Sequence, residues 1–238
     1  MPLYRLVSDE SCPDFVLAFE SLSGFFADET TDGQMILEGV RNAADARPAT
    51  MDDAVLEVVD DSGEAIGKYW LGCFTLKPKN ILLAPDGADS LEVPSRGGEP
   101  FPHAQAIWAR WSRGSVQPRE WTRYPAAQHG DWMHVVQNAW FTSGKHAMRY
   151  GTGDIVIDGK GLSSKDSFYC AIGEAANGPG GYFGSNLDAL DDCVRSGSER
   201  GPRYSVVWNA VETSRRVLGD AFVDAVTEIF GNRGVDLR

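Results

Sequence analysis

Over the first ninety or so residues, apolar positions come in short bursts bounded by polar clusters. The bursts fall at residues 3–7, 14–19, 34–40, 54–59 and 68–76, and their length suits strands better than helices. Asp60-Asp61-Ser62-Gly63 separates the last two. Asp and Gly tolerate the positive φ of tight turns, so a hairpin is predicted there. A small antiparallel sheet or barrel follows. Residues 85–102 are dense in Pro, Gly, Asp and Ser and read as a surface connection. From Gly151 the pattern changes. Strand-like runs at 155–157 and 204–208 alternate with helical stretches at 164–176, 186–194, 210–218 and 220–231. Strands separated by helices predict a parallel sheet with crossover connections. The expected organisation is a β-rich domain over 1–98, a connecting region over 99–150 and an α/β domain over 151–238.

Composition singles out the middle of the chain. Residues 103–150 hold five of the seven tryptophans and all four histidines. Basic residues interleaved with aromatics could neutralise and stack single-stranded nucleic acid. Alternatively the indoles anchor an irregular segment while Arg110, Arg113, Arg119 and Arg123 stay in water. His129, Asp131 and His134 are metal-ligand types, but they share no standard spacing and no Cys lies near them; no metal and no cofactor is expected.

The whole chain of 238 residues carries a net charge of −12. Residues 1–92 contribute −12, residues 93–150 +4 and residues 151–238 −4. Such a balance repels nucleic acid unless a basic patch is segregated, and it suits a basic partner. Cys12, Cys73, Cys170 and Cys193 form no Cys-x-x-Cys pair, so they read as reduced thiols rather than a zinc or disulfide framework. No apolar run approaches the ~20 residues of a membrane span, and the N-terminus lacks the layout of a signal peptide. A cytoplasmic protein is expected.

Catalytic motifs are missing. There is no Gly-x-Ser-x-Gly elbow, His-Glu-x-x-His or Walker sequence, and the glycines at 178–184 follow a helix where a dinucleotide loop would follow a strand. They serve better as a helix stop and turn. Cys193 falls beside an apolar helix face with no His nearby in sequence, which fits a buried thiol more than a nucleophile. The chain is not expected to be an enzyme.

The stretch Tyr182-Phe183-Gly184-Ser185-Asn186-Leu187-Asp188-Ala189-Leu190-Asp191-Asp192-Cys193 is more informative. Ser185 with Asp188 three residues on resembles a capping box, placing a helix start near Asn186. At ~100° per residue, Leu187, Leu190 and Val194 share one face, while Asp188, Asp191 and Asp192 gather on the flank beside it. Carboxylates at i and i+4 repel, so local stability does not account for the cluster.

This dodecapeptide resembles the signature of the barstar family, intracellular inhibitors of barnase-type ribonucleases. The resemblance runs over about residues 154–237 and takes in Asp158-Gly159 after the first strand and the run from Pro202 to Trp208 as the second. It implies a short three-stranded parallel sheet with helices, and a helix plus preceding loop that plug a basic ribonuclease active site one to one. Tyr182, Gly184, Asn186, Leu187, Asp188, Asp191, Asp192 and Glu199 are the implied contacts. Asp192 would stand in for the substrate phosphate, Asp188 would meet a second basic group and Tyr182 would pack on the catalytic histidine. Two positions depart from the family: Asp191 where its prototype has Trp, and Ser185 in place of an acid. A toxin-immunity inhibitor, with no membrane or nucleic-acid partner, is the expected function. A nucleic-acid-binding regulator working through 103–150 is the alternative.

Overall fold

The computed structural model describes residues 3–8, 16–27, 33–41, 49–76, 81–83, 89–95, 98–196 and 204–238. It divides the chain into two compact units, Met1–Ser115 and Val116–Arg238. The 99–150 stretch contributes to both.

The first unit is antiparallel. β1 (Tyr4–Ser8), β2 (Val16–Phe19), β5 (Ala49–Val59) and β6 (Ala65–Leu76) form one sheet in the order β2-β1-β5-β6. β3 (Ser21–Ser23), β4 (Gly33–Glu38), β7 (Ile81–Leu83) and β8 (Asp89–Ser95) form another, in the order β3-β4-β8-β7. The hairpin between β5 and β6 closes as the sequence predicts: Asp60 Oδ1 accepts from the Ser62 and Glu64 amides at 2.9 and 3.0 Å. Alternate side chains, among them Tyr4, Leu6, Leu56, Val58, Leu37 and Val93, fill the core, as the two-residue period of strands requires. β8 corrects the expectation of a loop over 85–102. Its residues pair with β4 from Gly33↔Ser95 to Glu38↔Ser90, and this distant pairing overrides a loop-like composition. Helix α1 (Ala104–Trp111) buries Ile107 and Trp108, whose indole donates to the Tyr69 hydroxyl at 2.8 Å.

The second unit is α/β. β9 (Ile155–Asp158), β10 (Ser205–Asn209) and β11 (Asp236–Leu237) form a parallel sheet with β10 in the middle. Ile155, Ile157, Val206 and Trp208 face the core. The crossovers are α3 (Lys165–Asn177) with α4 (Leu187–Arg195), then α5 (Val211–Leu218) with α6 (Asp220–Asn232). Phe168 of α3 packs its ring 5.1 Å from Trp208 and 5.4 Å from Phe222 of α6. The third strand is only two residues long, yet Trp208 N–H and Val206 C=O still pair with Arg238 at 2.8 and 2.9 Å.

Residues 116–150 are not irregular. They hold two short 3-10 turns and α2 (His129–Thr142), which packs on α3. Trp121, Trp132 and Trp140 are buried in this unit, and Trp108 in the first. Glu174 of α3 ties the segment down: its two carboxylate oxygens accept from the Arg119 amide at 2.7 Å and the Trp121 indole at 3.1 Å. Among the described residues no helix is long and apolar enough to cross a membrane.

Candidate functional site

The site begins where α3 ends. Gly178, at φ +84°, stops the helix, and its amide bonds back to Glu174 C=O at 2.8 Å. Asn177 then uses its whole amide group. Nδ2 donates to the carbonyls of Met148 (3.1 Å) and Tyr182 (2.6 Å), while Oδ1 accepts from the Tyr150 amide at 2.6 Å. One side chain thus holds the loop before β9 and the loop before α4 together. Phe183, within that second loop, is fully buried.

Gly184 seats the loop on α4. Its φ of +99° lies where side chains are strained, and a Cβ there would stand 2.7 Å from the backbone of Leu190. Only glycine allows this approach. Asn186 caps the helix, its Oδ1 accepting from the Ala189 amide at 2.8 Å. The cap is therefore Asn186, one residue beyond the Ser185 that the capping-box pattern suggests. Leu190, Cys193 and Val194 are buried, and Leu187 is half-buried at the edge. Burial pushes the Cys193 thiol up to about 12, so it is a protonated core group at neutral pH.

The three carboxylates are not equivalent. Asp188 and Asp192 are exposed, one turn apart on the same flank. Asp191 is engaged from within the unit, where Arg233 at the end of α6 grips both of its oxygens, Nε at 2.8 Å. That hydrogen bond holds the Asp191 carboxyl below its usual range. The expectation of a three-acid patch is corrected to two outward acids plus one internal ion pair. Asp192 also pairs with Arg195, but both side chains are more than half exposed, and such a pair is weak and readily opened. Among the described residues no ion pair reaches Asp188.

Tyr182 lies differently from what its implied role requires. It is 3% exposed, and its ring is 5.4 Å from that of Phe141 on α2. Glu199 lies outside the described residues. Away from this face, His129 is buried, its Nε2 3.2 Å from the Tyr124 carbonyl. Among the described residues no group of three or more His, Cys, Asp or Glu could hold a metal ion.

Arg233 and Phe141 are the residues of this face that sequence reasoning missed. Arg233 is 42 positions from its partner, a separation no local pattern registers. Phe141 sits on a helix whose buried residues, including His129, Asp131, Trp132, Met133, Val136 and Trp140, do not leave a clean polar stripe.

Comparison with known proteins agrees with this geometry in one segment. Residues 154–234 match the family model Barstar, described as barnase inhibitor. Strands β9 and β10, helices α3 to α6 and the α4 loop all lie in that segment, with β11 just beyond it, and the segment is therefore a barnase-inhibitor-like module. The matched family is one of inhibitors, not enzymes. No curated protein and no solved structure matches the chain.

Proposed function

We propose that the C-terminal unit is an inhibitor that occupies the cationic active site of a barnase-type ribonuclease, one to one, with α4 and the loop before it. A ribonuclease site must be positive to bind RNA. Carboxylates held on a folded helix can take its phosphate positions without offering a bond to cleave. Asp192 takes the phosphate position, Asp188 meets a second basic group, and Gly184, Asn186 and Leu187 shape the loop and helix start that support them. Complementary charge also accelerates encounter. An immunity role in the cytoplasm, protecting the cell's own RNA from the nuclease, belongs to the same proposal.

The observation that carries this reading is the outward pair Asp188 and Asp192, one turn apart on a helix whose start is locked by Gly184 and Asn186. The rival that binds nucleic acid through 103–150 drew its stacking rings from that segment's tryptophans, whereas Trp108, Trp121, Trp132 and Trp140 are buried. The test is to titrate the full chain into barnase cleaving an RNA substrate. Cleavage should fall linearly to zero at one equivalent. Undiminished cleavage at a large excess would overturn the proposal.

A further inference from the structure

The family match begins at residue 154, whereas the compact unit begins at Val116. Residues 116–150 therefore add material to the inhibitor-like module, and part of it reaches the candidate face. Phe141, near the C-terminus of α2, has its ring centroid 5.4 Å from that of Tyr182, tilted by 60°. The two rings differ sharply in exposure. Tyr182 is 3% exposed, and Phe141 45%. Tyr182 is also tied from behind, its carbonyl accepting from Asn177 at 2.6 Å. An aromatic surface does exist beside the acids of α4, but α2 presents it.

We propose that Phe141 is an aromatic contact of the docking surface, standing where the buried Tyr182 cannot, and that its partner is the same basic ribonuclease, which covers the ring with a planar or cationic side chain beside its active site. This rests on the inhibitor reading above. Exposed aromatic rings near the centre of an interface, packed against a neighbour that fixes their orientation, are typical energetic anchors. A ring face also attracts a guanidinium, so the chemistry suits a basic protein. The cations of the adjoining loop do not compete, because Lys145 lies 4.3 Å over Trp140 and Arg149 lies 4.4 Å over Tyr204. Tyr150 belongs to the same fringe: it is 48% exposed, and its amide shares the Asn177 side chain with Tyr182. Continuity with the α4 loop, through the Phe141–Tyr182 contact, joins this fringe to the acids.

The experiment uses the full chain and barnase as the probe, with binding kinetics measured for wild type, Phe141→Ala, Phe141→Leu and Asp192→Ala. Phe141→Ala should weaken binding roughly tenfold or more, chiefly through faster dissociation. Phe141→Leu keeps an apolar cover over Tyr182 and removes only the ring, so an appreciable loss from it separates recognition from packing. Tight binding by both variants, with Asp192→Ala still impaired, would overturn the inference and leave the inhibitor reading standing. Failure of the wild-type chain to bind would overturn both.

Discussion

Glu57 in the first unit and Asp188 in the second show two uses of an acidic side chain. Glu57 sits on β5 between its register partners Arg5 on β1 and Lys68 on β6. Its carboxylate is 10% exposed and receives Arg5 at 2.8 Å and Lys68 at 3.1 Å. Cross-strand neighbours thus bring the counter-charges that its burial demands. Asp188 lies on an exposed flank of α4, and Asp192 one turn later has only an exposed, easily opened pair. Asp191, between them, is less buried than Glu57 but shares its built-in partner, being matched by Arg233. An acid with its counter-charge built in supports the fold, while an outward acid on a rigid helix is ready for a counter-charge from elsewhere.

The comparison of units can be broken most severely by truncation. A chain of residues 116–238 retains α2 and the Glu174 contacts and should fold and inhibit barnase. A chain of 151–238 loses α2, with its buried Trp132, Met133, Val135, Val136 and Trp140. Each buried side chain of this size contributes roughly 1.5–3 kcal/mol, so the shorter fragment should lose most of its cooperative melting transition. If it melted like 116–238, α2 would be an accessory and not part of the unit.

Next in size is Asp192→Ala, which should cost about 2–5 kcal/mol of binding by leaving a nuclease charge unpaired. Asp191→Ala should change binding much less and lower the melting temperature instead, because its partner is internal. Calorimetric titration and melting of both variants separate the two effects. Equal binding losses would dissolve the distinction drawn between the two acids. Glu57→Gln tests the other side of the comparison. It leaves Arg5 and Lys68 facing each other without a full counter-charge and should destabilise the first unit by about 1–3 kcal/mol. Inhibition measured below its melting temperature should not change.

A smaller effect follows from pH. Burial pushes His134 down to about 4 and lowers His129 as well, from an ordinary 6.5. Between the folded and ordinary values the unfolded chain binds more protons. The His134 contribution is therefore fully present above pH 6.5 and is lost as pH falls toward about 4, at up to roughly 1.4 kcal/mol per pH unit, and His129 adds a loss of the same sign. Melting of the second unit should fall over this window, and His134→Gln should flatten the fall. An unchanged slope in that variant would show that His134 does not titrate as its burial requires.

What was legible in the sequence and what was not follow from the range of the interactions involved. The helix bearing the acids could be read, to within one residue at its cap, because its period, start and loop glycines are encoded within a dozen residues. The same holds for the β5–β6 hairpin, whose turn residues carry their own conformational preference. β8 could not be read, since its pairing with β4 is remote in sequence and Pro94 sits within it opposite Gln34. Nor could α2, whose buried residues include His129 and Asp131 as well as its apolar side chains. The internal pairing of Asp191 and the covering of Tyr182 were illegible for the same reason, because both depend on helices brought together only by folding.

The central claim, that outward carboxylates on α4 engage a basic nuclease, is tested most directly by the rate at which the full chain associates with barnase at low and high salt. Opposite charges attract over about 8 Å at physiological ionic strength and over less as salt rises. The wild-type rate should therefore fall steeply with salt, and the Asp188→Asn, Asp192→Asn double variant should associate more slowly with a shallower dependence. An association rate indifferent to salt, or a double variant indistinguishable from wild type, would contradict the account.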